Sequence, residues 1–237
     1  MDGLTHYTSS TEAVVSILSN GFAWVNNKRD IIKTLIPIHD FSDREPQQFG
    51  MISFTDSSPP APTRHREKFG QFGIVVSHEW ALSKMAQKVF YVAREGPITS
   101  ALQELFGTGY RELKSQIKYP EDSAAQMAFT NKAMAQVHGG RLWSNLLTLY
   151  EYMEPMENAW HSEWRIVHKV PFYGYPSSKE AIIQNVSPPK NWAKIFNVVP
   201  VPEQAVIGFV CPSQHQQPFA RALPSNFTSK EIIVSEG

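Results

Sequence analysis

The chain has 237 residues with 22 basic and 22 acidic side chains, so its formal net charge is zero and no global field draws nucleic acid or anionic membrane to it. A hydrophobic fraction of 42% fits a globular protein with a substantial core, and the single cysteine, Cys211, excludes an intramolecular disulfide framework. No apolar run approaches the roughly 20 residues that span a bilayer, and the polar opening MDGLTHYTSS lacks a leader's basic-then-apolar pattern; a cytoplasmic protein with no membrane partner is expected.

GLTHYT reads as a short strand, and the SST after it supplies N-caps for a helix whose apolar face is Ala13, Val14, Ile17 and Leu18, with Glu12 placed for a capping box and Gly21 as the stop. The stretch from Asn26 to Phe49 is mixed and yields no single assignment. GMISFTD alternates Met51, Ser53 and Thr55 against Ile52 and Phe54, as a strand does. SSPPAPTRHREKFGQFG is expected to be a long loop rich in proline, glycine and charge, of the kind that carries function. GIVVSHEWALSKM runs strand into helix, and KVFYVA is a further strand.

From about residue 98 to 152 the pattern turns helical, in ITSALQELFGTGYRELKSQI, EDSAAQMAFTNKAMAQVH and LWSNLLTLYEYM, and this stretch is expected as an insertion into a β scaffold within one domain spanning 1–237. SEWRIVHKV returns to a strand. EQAVIGFVCP, QPFARAL and KEIIVS close the chain as strand, helix and strand. Strands and helices without regular βαβ alternation indicate the α+β class. GTGYRE is not a dinucleotide fingerprint, because no strand precedes it and its third glycine is missing.

Eight histidines invite a metal reading, but no helical i, i+4 histidine pair brackets a glutamate, and no metal site is expected. No G-x-S-x-G elbow supports a serine hydrolase, and Cys211 before a proline at a strand end reads as a small buried thiol. In SEWRIV, Glu163, Arg165 and Val167 share one strand face against Trp164 and Ile166. Either that polar face is solvated, or Glu163 is a carboxylate presented at a strand start for chemistry. His6 is open to the same two readings, structural or ligand-lining, as are Ser53, Thr55, Arg64 and Arg66.

THYTSSTEAVVSILSNGF resembles the first motif of DarT-like ADP-ribosyltransferases, in which a histidine-bearing strand runs into a helix ending at glycine. MISFTD followed by RHREKFGQFGIVVSHEWA, with SEWRIV later, is similar to the abortive-infection AbiGi group. Together these segments cover about a third of the chain. The resemblance implies an α+β fold with a split β-sheet of the ADP-ribosyltransferase type, NAD held as substrate in its cleft, and a role in phage defence. It implies that His6 bonds the adenosine ribose, that Ser53 or Thr55 lies beside the nicotinamide, and that Arg66 or Arg64 pairs with the pyrophosphate. Glu163 would then stabilise positive charge as the glycosidic bond breaks, as carboxylates do in glycosidases, with His6 and Glu163 on one cleft and Arg66 on its rim.

The pattern departs from the family in having no middle-strand tyrosine, where Phe54 or Phe69 would have to serve, and in carrying His161 where an acidic residue usually precedes the catalytic glutamate by two. Two functions follow as expectations. One is an NAD-consuming ADP-ribosyltransferase acting on an unknown acceptor, protein or nucleic acid. The other is a non-catalytic antitoxin or sensor subunit that binds a cognate toxin, antitoxin or phage protein through the helical stretch.

Overall fold

The computed structural model describes residues 2–29, 47–56, 58–116, 138–167 and 198–236. In chain order the strands are β1 (Leu4–Thr8), β2 (Val25–Arg29), β3 (Gln47–Thr55), β4 (Phe72–Val76), β5 (Gln87–Lys88), β6 (Phe90–Val92), β7 (Met153–Pro155), β8 (Glu163–Val167), β9 (Val206–Pro212) and β10 (Glu231–Ser235). The helices are α1 (Thr11–Asn20), α2 (Thr63–Phe69), α3 (His78–Ser83), α4 (Pro97–Gln116), α5 (His138–Glu151) and α6 (Gln216–Ala222), and a 3-10 turn covers Met156–His161. The class is α+β. The helix expected over 121–138 lies outside the described residues, apart from His138 at the start of α5.

The chain divides into two compact units, Met1–Lys28 with Gln48–Val89 and Trp160–Gly237, and Arg29–Gln47 with Phe90–Ala159. The first holds a mostly antiparallel sheet in the order β10-β9-β4-β1-β3-β8-β5, with β2 also on β3; β10 joins β9 in parallel. One face is covered by Val14 and Leu18 of α1, Trp80 and Ala81 of α3 and Phe219 of α6, packed on Leu4, Ile52, Phe54, Ile74, Ile166 and Phe209. Tyr7, Val75 and Val210 point to the other face, where Ala61 packs on them. Buried Cys211 belongs to the first of these cores, as a small apolar thiol should.

Local chemistry explains the elements. The Ser10 hydroxyl accepts from the Ala13 N–H at 3.2 Å, and Gly21, at φ +90, donates to the Ile17 carbonyl. The expected long loop over 57–73 contains α2. Its buried residues are His65 and Arg66, so it carries no apolar stripe and reads as loop; Pro62 ahead of it and Gly70 behind it are its only boundary signals. KVFYVA also differs from expectation, since β5 pairs with β8 while β6 pairs with β7 in a second, two-stranded sheet.

Gly70 ends α2 with φ +114, and a Cβ there would fall on the carbonyl of Thr8 in β1. Gly70→Ala is therefore expected to cost about 2 kcal/mol or more, from backbone strain and loss of this close approach. A urea unfolding midpoint unchanged from the parent would contradict that.

The second unit pairs α4 with α5, burying Leu102, Phe106 and Tyr110 with Leu146, Leu147 and Tyr150, while β6 and β7 run parallel beside them. Ile98, Leu105, Leu149 and Met156 remain exposed on it. Among the described residues, no helix is long and apolar enough to cross a membrane.

Candidate active site

Antiparallel pairing of β3 with β8 sets Ser53 opposite Arg165 and Thr55 opposite Glu163, so all four side chains leave one face of the sheet. The Ser53 hydroxyl donates to Glu163 Oε1 at 2.7 Å. Arg165 adds a side-on fork, Nε to Oε1 at 2.7 Å and Nη2 to Oε2 at 2.8 Å. Arg165 is 1% exposed and Glu163 13%, so this is a sequestered pair rather than the solvated face that alternation alone allows. An anion with these donors is held as an acceptor in a fixed orientation. Thr55 Oγ1 donates to the His161 carbonyl at 2.7 Å, and Ser162, at φ +44, turns the chain so that Glu163 opens β8.

What covers this face comes from α2 and the 3-10 turn. His65 lies edge-on to Tyr7, Trp160 and His161, with ring centroids 5.2, 6.1 and 6.2 Å away, and packs on Phe69 at 4.6 Å. Burial, helped by the neighbouring His161 and Lys68 and opposed by Glu163, pushes its pKa down from 6.5 to about 4. Its Nδ1 is buried with no hydrogen-bond partner among the described residues. Lys68 Nζ donates to His161 Nε2 at 3.3 Å. The Arg64 guanidinium lies 4.2 Å from the Trp160 ring centroid, and Lys68 Nζ lies 5.5 Å from it. Two cations and a tryptophan thus gather beside the His65 imidazole, which is kept neutral by burial and senses the Glu163 charge.

The other expected residues sit differently. His6 Nδ1 donates to the Ser53 carbonyl at 2.8 Å, which leaves Nε2 as the acceptor. Its ring packs on Phe22 and Phe54, at 4.9 and 5.8 Å, on the face turned away from the Ser53 and Thr55 hydroxyls. Burial lowers its pKa against the opposing effect of the Ser53 bond, so the imidazole is neutral. Ser53 therefore links His6 and Glu163 through its carbonyl and its hydroxyl, from opposite faces of β3. Arg66 is not on a rim. Its guanidinium is buried and donates to the carbonyls of Ala61 and Glu236 and to Thr63 Oγ1, because the short α2 places it inward over the chain end.

Arg165 and Asp56 were not singled out by sequence reasoning, and His65 and Lys68 entered it only as members of a charged loop. The E-x-R spacing on a strand was the available signal for Arg165, since it puts the two charges on one face. For His65 and Lys68 the charged loop was the signal, but their placement over the sheet was not legible because α2 itself was hidden. No protein-family model, curated protein or solved structure matches this chain.

Proposed function

We propose that this protein is an ADP-ribosyltransferase-type enzyme of phage defence, transferring ADP-ribose from NAD to a protein or nucleic-acid acceptor or consuming NAD outright. The observation that carries the reading is the Glu163 carboxylate, fixed by Ser53 and Arg165, beside a cluster of Arg64, Lys68 and Trp160. Such a cluster suits a ligand with an aromatic face and anionic phosphates. The expected split is not seen among the described residues, where the sheet runs as one path with β1 and β3 paired at Thr5–Thr55, so the reading rests on the site and not on the sheet. The phage-defence setting rests on the resemblance of FTD, RHRE, FGQFGI and SEWRIV to the AbiGi group.

In this reading the bound substrate supplies the glycosidic bond. Glu163 accepts a hydrogen bond from a ribose hydroxyl and stabilises the positive charge that develops there. With its orientation fixed by Ser53 and Arg165, its role is electrostatic rather than proton-carrying. Arg64 and Lys68 take the phosphates and Trp160 offers its ring, while Arg66 and His6 serve the scaffold. The protein incubated with NAD labelled in its adenylate, together with nucleic acid and cell lysate, is expected to release nicotinamide. Glu163→Gln is expected to slow that release by about 10²–10³-fold. No release under any condition, or an unaffected Glu163→Gln protein, rejects the reading.

A second reading, a non-catalytic antitoxin or sensor subunit, draws on one specific observation: Arg165 already occupies both carboxylate oxygens of Glu163. Stable co-purification of a second protein from the native operon, unaltered in Glu163→Gln, favours it.

A further inference from the structure

We propose that Asp56 is a positioning residue that sets the orientation of Glu163 by gripping the residues on either side of it; this rests on the role given to Glu163 above. Asp56 follows β3 directly after Thr55. Its backbone N–H donates to the Ser162 carbonyl at 2.9 Å, and its Oδ2 accepts from Trp164 Nε1 at 3.2 Å. Ser162 and Trp164 flank Glu163, and Thr55 holds His161 one step further out. Three anchors from one strand end, on His161, Ser162 and Trp164, thus fix the turn from which Glu163 projects, with Ser162 held at a φ of +44 that L-residues seldom adopt.

The carboxylate of Asp56 is itself braced. Lys88 Nζ lies 3.1 Å from Oδ2, and His78 Nε2 lies 3.4 Å from Oδ1, with His78 Nδ1 3.5 Å from Asp2 and its ring edge-on to Trp164 at 5.7 Å. Burial works to raise the Asp56 pKa, but the bonds from Lys88 and Trp164 and the charges of Lys88 and His78 outweigh it and hold the group below the ordinary carboxylate range. An ionised acceptor is the state that holds the Trp164 indole most firmly. No atom of Asp56 needs to touch substrate, because it grips the Ser162 carbonyl and the Trp164 indole, the residues on either side of Glu163.

The test compares NAD cleavage by Asp56→Ala, Asp56→Asn and Trp164→Phe with the parent, alongside the Glu163 carboxylate titration followed by carbon-13 NMR. Asp56→Ala is expected to lower kcat about 10- to 100-fold with KM within about twofold, as a misplaced group does. Asp56→Asn, which keeps an oxygen for the indole, is expected to recover most of that loss. Trp164→Phe removes the indole donor but keeps a packed ring, so it carries the test if Asp56→Ala fails to fold; it too is expected to lose kcat selectively. Unchanged kcat in Asp56→Ala or Trp164→Phe overturns the inference, as does a loss matched by KM and unrelieved in Asp56→Asn. If the parent cleaves no NAD, the proposed function fails, and the NMR arm decides the positioning inference separately. A Glu163 titration midpoint displaced in Asp56→Ala or Trp164→Phe supports it, and an identical midpoint overturns it.

Discussion

Replacing Glu163 by alanine is expected to destabilise the fold by about 3–5 kcal/mol, far more than the loss of a surface ion pair. The reason is the partner left behind. Arg165 is 1% exposed, and without Glu163 its guanidinium keeps its charge but loses the two carboxylate oxygens that compensate its desolvation. Ser53 loses an acceptor at the same time. Removing the Arg165 charge as well should restore much of the loss, so the double variant Glu163→Leu with Arg165→Met is expected to recover most of the parent's urea midpoint, because a buried ion pair exchanged for apolar groups of similar volume is often neutral. A single Glu163→Ala variant that loses less than about 1 kcal/mol would mean that water solvates the pair. The experiment also separates stability from catalysis, since the double variant is expected to fold and to leave NAD intact.

Acid is expected to weaken the fold through His65. In the unfolded chain this imidazole takes up a proton as pH falls below 6.5, whereas in the fold its pKa is about 4. Between those values the unfolded state binds the proton and the folded state refuses it, so stability present above pH 6.5 is lost progressively down to about pH 4. The gap corresponds to at most about 3 kcal/mol. His6, lowered by burial, acts in the same direction. His65→Phe keeps a ring among Tyr7, Phe69 and Trp160 and removes an Nδ1 that has no partner among the described residues. It is expected to flatten the stability profile between pH 4 and 6.5 and to cost little at pH 7.5. A His65→Phe protein with the parent's acid slope would show that His65 is not the group responsible.

Elements whose signals are local were legible in the sequence. The alternation of Met51, Ser53 and Thr55 against Ile52 and Phe54, the Ser10 cap, the Gly21 stop and the run from Gly73 into Trp80 all mark what the structure contains. Helix α2 escaped because its inward residues are His65 and Arg66, and a period built from polar side chains looks like a solvated loop. That omission hid how Arg64, His65 and Lys68 are placed, since α2 and the 3-10 turn supply the site's cations and part of its cover. The pairing of Ser53 with Glu163, 110 residues apart, follows only once β3 and β8 are neighbours, which no local pattern specifies. Alternation placed Glu163 and Arg165 together but carried no information on whether water reached that face. His6 shows the complementary limit: its place on β1 was legible, whereas the face it packs on depends on Phe22 and Phe54.

The measurement that bears most directly on the central claim is a crystal structure of the protein with ADP-ribose. The account predicts a ribose hydroxyl within hydrogen-bond distance of the Glu163 carboxylate, the pyrophosphate against Arg64 and Lys68, and Trp160 in ring contact with the ligand. ADP-ribose seated on the His6 face or in the second unit, or absent at saturating concentration, would contradict it.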